Sequence, residues 1–195
     1  MRCSPAPATA ALTAGILALA LIATPNDSAA RDWQTIADES SIAFSFIQMG
    51  SSITGQFAEF ATEITFDPGD LANASVTTEI AIDSVDTGNG ERDAGITGAD
   101  WFDTATYPVA SFTSTSFAHE GGDAYLVTGD LTVRGITETV ELPMTITVDG
   151  DTASANGSIE LDRRTFEVGQ GDWATDAAVG YEVIIEISVA AQAAD

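Results

Sequence analysis

The sequence predicts an all-β domain, on three observations. From Thr139 to Val148 the chain alternates without a break. Val140, Leu142, Met144, Ile146 and Val148 share one side, and Thr139, Glu141, Pro143, Thr145 and Thr147 the other. A repeat of two belongs to a strand with one apolar and one wet face. Tyr125, Val127, Gly129, Leu131 and Val133 alternate in the same way against Thr128, Asp130, Thr132 and Arg134. Between the two runs Arg134-Gly135-Ile136-Thr137 reads as the turn of a β-hairpin. Finally, similar runs recur along the chain with turn signals between them, and only residues 91–102 offer a helix.

The first thirty residues stand apart. A positive charge at Arg2 precedes an apolar run, AALTAGILALALIA, which ends in small residues, with Ser28 and Ala30 three and one places before Arg31. That is the layout of a secretory signal peptide, so residues 1–30 are expected to be removed and residues 31–195 to form one exported, periplasmic or secreted domain. The run is short for a membrane span and no second one follows, so stable membrane insertion is not expected. Cys3 would leave with the peptide. The remaining chain has no cysteine, so burial alone must hold it together.

Composition excludes some partners. All six basic residues are arginine, thirty residues are acidic, and the net charge is −24 at pH 7. Nucleic acid and anionic membrane surfaces both call for a basic patch, which this chain lacks. The acidic coat serves solubility, or suits a high-salt medium in which counterions screen it.

The strands follow in order. Residues 33–47 set Ile42, Phe44 and Phe46 against Ala43 and Ser45; 50–57 and 61–66 follow, broken by the strong turn Asp67-Pro68-Gly69-Asp70. Residues 74–82 set Val76, Ile80 and Ile82 against Thr77 and Glu79. Residues 109–117 form another strand, then the hairpin, then a strand ending at Ile159-Glu160-Leu161. The last sets Val183, Ile185, Ile187 and Val189 against Glu182, Glu186 and Ser188. About eight strands of this kind make a sandwich or a closed barrel, and periodicity does not choose between them.

Catalytic and metal motifs are sparse. His119 is the only histidine and sits in a Gly-rich turn, with no cysteine near it to complete a zinc site. The nucleophile elbow, the phosphate loop and the dinucleotide fingerprint are all missing. Asp149-Gly150-Asp151 lies in a hairpin turn without EF-hand spacing. Two stretches remain. Residues 91–112 gather Arg92, Trp101, Phe102, Tyr107 and Phe112, suited to plug one end of the sheet or to serve as a lid over a cavity mouth. Residues 161–173 carry Arg163, Arg164 and Phe166, then Gly169 and Gly171 in a flexible loop before Trp173. The paired arginines either neutralise carboxylates or approach a polar headgroup.

These segments together resemble the YceI-like family, periplasmic lipocalin-like barrels that bind polyisoprenoids. The resemblance is carried, in order, by Gln48-Met49-Gly50 leading to Gly55-Gln56-Phe57, by Arg92-Asp93, by Asp100-Trp101-Phe102-Asp103 and by Tyr107-Pro108. It continues in Gly129-Asp130-Leu131-Thr132-Val133-Arg134-Gly135-Ile136-Thr137 and in Arg163-Arg164-Thr165-Phe166-Glu167-Val168-Gly169. It covers residues 33–190. Gly95 stands where the family has a histidine, Ile96 where it has leucine, and Glu167 where it has glycine, so no headgroup role passes to position 95.

The resemblance implies an eight-stranded antiparallel lipocalin-like barrel with a short helical segment near one end. It implies a soluble binding protein that holds an isoprenoid lipid, of isoprenoid quinone or polyprenyl phosphate type, for transport, storage or sequestration. Such a protein needs no cofactor, the lipid being its ligand, and takes as partner a membrane quinone-using or b-type cytochrome protein. In a barrel the apolar parity faces inward. Phe44, Phe46, Ile80, Ile82, Leu131, Val133, Leu142, Met144, Ile146, Val183 and Ile185 are therefore expected to hold the ligand, with Trp101 and Phe102 near the mouth; Phe112 and Phe166 are expected to join them in holding it. A pyrophosphate head would call on Arg92, Arg134, Arg163 or Arg164; a neutral quinone head needs none of them and is favoured. Two other readings stand beside this one: an enzyme acting on an isoprenoid or quinone in the same pocket, and a structural β module without ligand.

Overall fold

The computed structural model describes residues 29–194, together with Met1. The leader and its apolar run, with Cys3, lie outside the described residues. The strands are β1 (Arg31–Thr35), β2 (Ser41–Gln48), β3 (Ser51–Phe57), β4 (Phe60–Phe66), β5 (Ser75–Ala81) and β6 (Val85–Asp86). After the helix α1 (Gly90–Ile96) come β7 (Val109–Gly121), β8 (Ala124–Val133), β9 (Ile136–Asp149), β10 (Thr152–Asp162) and β11 (Val179–Ala193). All pairings are antiparallel between neighbours, and β1 closes the ring on β11 through Trp33↔Ala193, Gln34↔Gln192 and Thr35↔Ala191. The result is an eight-stranded closed barrel with one short helix. Three of its eight staves are broken in two: β1 with β2, β3 with β4, and β5 with β6.

The breaks correct the expectation of one strand over residues 33–47. A 3-10 turn at Ala37–Glu39 interrupts it, and Ser40 patches the ladder with its side chain. The hydroxyl donates to Ile36 O (2.8 Å) and accepts from the Ala190 amide (3.0 Å), a bond a continuous backbone ladder would otherwise make. β11 thus serves both halves, pairing with β2 over Ser188↔Ser41 to Val179↔Gln48.

The helix is shorter than residues 91–102. Asn89 caps it by accepting from the Glu91 and Arg92 amides (3.1 and 3.0 Å). It ends at Ile96, and residues 97–107 continue as turns, with the Phe102 amide donating to Ile96 O and that of Asp103 to Gly98 O. The β8–β9 turn is also tighter than four residues. Val133 pairs with Ile136, leaving only Arg134 and Gly135, at φ +52° and +74°. Both residues at positive φ give the turn whose twist matches the flanking strands. Gly135 is needed for space as well, since a Cβ there would stand 2.7 Å from Tyr107 Cε1.

The parity read from the sequence places the interior. Along β9, Leu142 is buried and Val140, Met144, Ile146 and Val148 half-buried, while Glu141, Pro143, Thr145 and Thr147 are exposed. Two apolar clusters form along the axis. One lies under α1 and includes Ile42, Phe44, Phe57, Ile82 and Ile96; the other includes Trp33, Phe66, Tyr125 and Ala191.

Candidate functional site: the barrel cavity

Between the clusters the barrel encloses a cavity of ≈ 620 Å³. Its far end is closed by aromatic rings. Trp33 donates Nε1–H to Phe66 O (2.9 Å), and the Phe66 ring meets Tyr125 edge-on at 5.5 Å and Phe117 at 5.7 Å. The opposite end lies under α1, where Asn89, Glu91, Arg92, Gly95 and Ile96 all line the space. Phe44, Phe46, Phe57 and Phe102 form the wall there, with ring centroids 5.2–6.4 Å apart.

Every apolar residue expected to hold the ligand or to lie near the mouth lines this cavity: Phe44, Phe46, Ile80, Ile82, Trp101, Phe102, Phe112, Leu131, Val133, Leu142, Met144, Ile146, Phe166, Val183 and Ile185. The four arginines considered for a headgroup do not stay together. Arg92 lines the cavity, donating Nε–H to Gln48 Oε1 (3.1 Å) and Nη1 to Thr87 O (3.5 Å). Arg134 lies outside it, because its Nη1 is engaged by Trp101 O (2.7 Å) and Glu167 O (3.0 Å). Arg164 also lies outside: it forms an ion pair with Asp162 and stacks 3.8 Å over the Tyr181 ring. That bond lowers the Asp162 carboxyl below its ordinary value.

Arg163 does neither of the things expected of it. It is 4% exposed and lines the cavity, yet its guanidinium is spent on backbone carbonyls. Nε donates to Gly180 O (3.0 Å), Nη1 to Val168 O (2.8 Å) and Gly169 O (3.1 Å). Nη2 serves Trp173 O (2.7 Å), Thr175 O (3.1 Å) and Val179 O (3.1 Å). Burial pushes its pKa down, yet a guanidinium remains charged across the working range. The loop at Gly169 and Gly171 is therefore fastened rather than loose. The Gly169 and Gln170 amides also donate to Asp100 O (2.9 and 2.6 Å), so this loop and the one after α1 form a single cover, with Trp101 and Trp173 5.5 Å apart.

Several lining residues escaped the sequence reading. Gln48 follows Phe44 and Phe46 in parity and belongs to the rim. Thr62 and Thr78 follow the apolar parity of β4 and β5; they face each other across the ladder, and their hydroxyls bond at 3.2 Å. Reading threonine as a wet-face residue hid both. His119 is exposed, near the end of β7, with its ring bonded to Gly122 O. Among the described residues no cluster of His, Cys, Asp and Glu could hold a metal ion, and no helix is long and apolar enough to cross a membrane.

The barrel is a closed eight-stranded meander, capped by one helix over an apolar lumen. The model of the YceI-like domain matches residues 33–191. The chain belongs to the YceI-like family. The "UPF0312 protein" of Shewanella denitrificans is 31% identical over 153 residues, 75% of this chain and 80% of its own. Among solved structures, Burkholderia cenocepacia BcnA superposes with a TM-score of 0.78 at 34% identity, covering 80% of this chain and 99% of that one. A polyisoprenoid binding domain from Saccharophagus degradans, implicated in plant cell wall breakdown, shares the fold: TM-score 0.65, 15% identity, 85% of this chain and 99% of that one.

Proposed function

We propose that the protein is an exported carrier that holds an isoprenoid lipid in the barrel cavity, for transport, storage or sequestration. The cavity carries this reading. Its wall is apolar almost throughout; the Thr62–Thr78 hydroxyls bond each other, and the remaining polar side chains gather largely at the α1 end. A volume of ≈ 620 Å³ has room for on the order of twenty groups the size of a water or a methylene, at ~30 Å³ each. At ~0.8 kcal/mol per buried methylene, such a tail contributes on the order of ten kcal/mol before ordering costs. The Saccharophagus domain, described as polyisoprenoid binding, makes a branched prenyl tail the natural candidate.

The rim argues for the head. Among the described residues Arg92 is the one cation there with part of its guanidinium uncommitted, and Glu91 lines the same space. A pyrophosphate would meet one arginine beside the Glu91 carboxylate. A neutral quinone could accept from Arg92 or from the Gln48 amide without that repulsion, so an isoprenoid quinone fits better than a polyprenyl phosphate. The mechanism is burial and release, without bond chemistry. Among the described residues no histidine or cysteine lines the cavity, which sets the enzyme reading behind the carrier reading. A membrane quinone-using or b-type cytochrome protein would be the donor or acceptor of the cargo.

One experiment tests both export and ligand: mass spectrometry of the intact protein recovered from the periplasm, with a lipid extract of the same sample. The expected result is an N-terminus at or near Arg31 and a stoichiometric isoprenoid. A chain retaining Met1 rejects export, and an empty barrel that takes up no isoprenoid on addition favours the structural module.

A further inference from the structure

Three strand glycines face the lumen, each beneath a large side chain. Gly55 lies directly opposite Phe44 in the β2–β3 ladder, and a Cβ at 55 would stand 2.5 Å from Phe44 Cζ and 2.9 Å from its Cε2. Gly157 lies directly opposite Met144 in the β9–β10 ladder, where a Cβ would overlap Met144 Sδ. Gly129 pairs with Ser114, and Phe112 reaches diagonally across so that its Cζ occupies the place of a Cβ at 129. None of the three glycines has a positive φ, so backbone torsion does not require glycine at any of them, although a Cβ at 129 would also stand 2.7 Å from Thr113 O and one at 157 2.8 Å from Pro143 O. Glycine also weakens a strand interior, and where it occurs there it often marks a close approach. What approaches here is the cavity's own lining.

Strand side chains ordinarily stand roughly perpendicular to the sheet. Upright, Phe44, Phe112 and Met144 would project into the lumen from three sides. Over a glycine each lies down along the wall. The positions span the axis: Phe44 packs against Phe57 under α1, whereas Met144 pairs with Tyr125, a member of the closed-end cluster.

We propose that Gly55, Gly129 and Gly157 set the bore and depth of the cavity, and so determine which tails it accepts, Gly55 near the mouth and Gly157 in the deep half. The inference rests on the lipid-carrier reading. Its test is binding of farnesol (three isoprene units) and geranylgeraniol (four) to wild type, Gly157→Ala, Met144→Ala and Gly157→Ala/Met144→Ala, with Ser158→Ala as the outward-facing control. In Gly157→Ala the new methyl displaces Met144 into the lumen. Preference for geranylgeraniol over farnesol should then fall about fourfold for each methylene-sized volume lost. Met144→Ala and the double variant should restore or exceed the wild-type preference, and the control should match wild type. An unchanged preference in Gly157→Ala would overturn the inference. Should Gly157→Ala fail to fold, or the double variant fail to restore its loss because the new methyl crowds Pro143 O, Gly55→Ala decides, since the three atoms nearest its Cβ all belong to the Phe44 and Thr87 side chains; it should weaken both alcohols, and unaltered binding refutes. Wild type that binds neither alcohol refutes the carrier reading and this inference with it.

Discussion

Replacing Arg163 by methionine should be among the most damaging single changes outside the apolar lining. The side chain makes six hydrogen bonds to carbonyls of residues 168, 169, 173, 175, 179 and 180. Methionine fills similar volume but supplies no donor, so a cluster of carbonyls at a 4% exposed position loses its partner. Breaking a buried charge network by removing one member costs about 3–5 kcal/mol. For a domain of this size each kcal/mol shifts Tm by about 2–4 °C, so Tm should fall on the order of 10 °C. Arg163→Lys keeps the charge but offers three donors from one point in place of a planar fork, and should fall between the two. Thermal and urea unfolding, followed by near-UV circular dichroism of the Trp101–Trp173 pair, measures both quantities. A methionine variant within about 1 kcal/mol of wild type would refute the reasoning, because the carbonyls would then be as well served by water.

Met144→Asp should abolish folding or lipid retention, since an unpartnered carboxylate among alkyl groups costs several kcal/mol, whereas Thr145→Asp should stay within about 0.5 kcal/mol; equal Tm losses would mean the parity is reversed. Thirty acids against six arginines should make Tm rise from millimolar to molar sodium chloride as self-repulsion is screened, and a flat curve would leave solubility as the role of the acidic coat. The Asp162 carboxyl, held below its ordinary value by its hydrogen bond from Arg164, adds stability that is fully present above the unfolded carboxyl pKa of about 3.9 and lost as pH falls through the folded value. The Tm advantage of wild type over Asp162→Asn should therefore vanish at acid pH, and an advantage that grows on acidification contradicts the assignment.

By itself the sequence determined the faces. A strand's repeat of two is local, so the alternation in β9 or β11 assigns each side chain to one side or the other whatever lies beyond. Except for Phe166, in the turn after β10, the expected apolar cavity residues follow from that parity or from their place beside the helix. Parity cannot say whether two apolar faces meet as a sandwich or one sheet closes on itself. Closure depends on Trp33 finding Ala193, a pairing across nearly the whole chain. The breaks in three staves were hidden for a related reason: the bond Ser40 makes to Ala190 is invisible until β11 lies alongside. Long polar side chains escape local reading altogether. Arg92, Arg134, Arg163 and Arg164 look alike in sequence. Their fates, from cavity rim to loop tie to buried hub to surface ion pair, were decided by which carbonyls and carboxylates the folded chain brought within reach of a flexible stem ending in five donors.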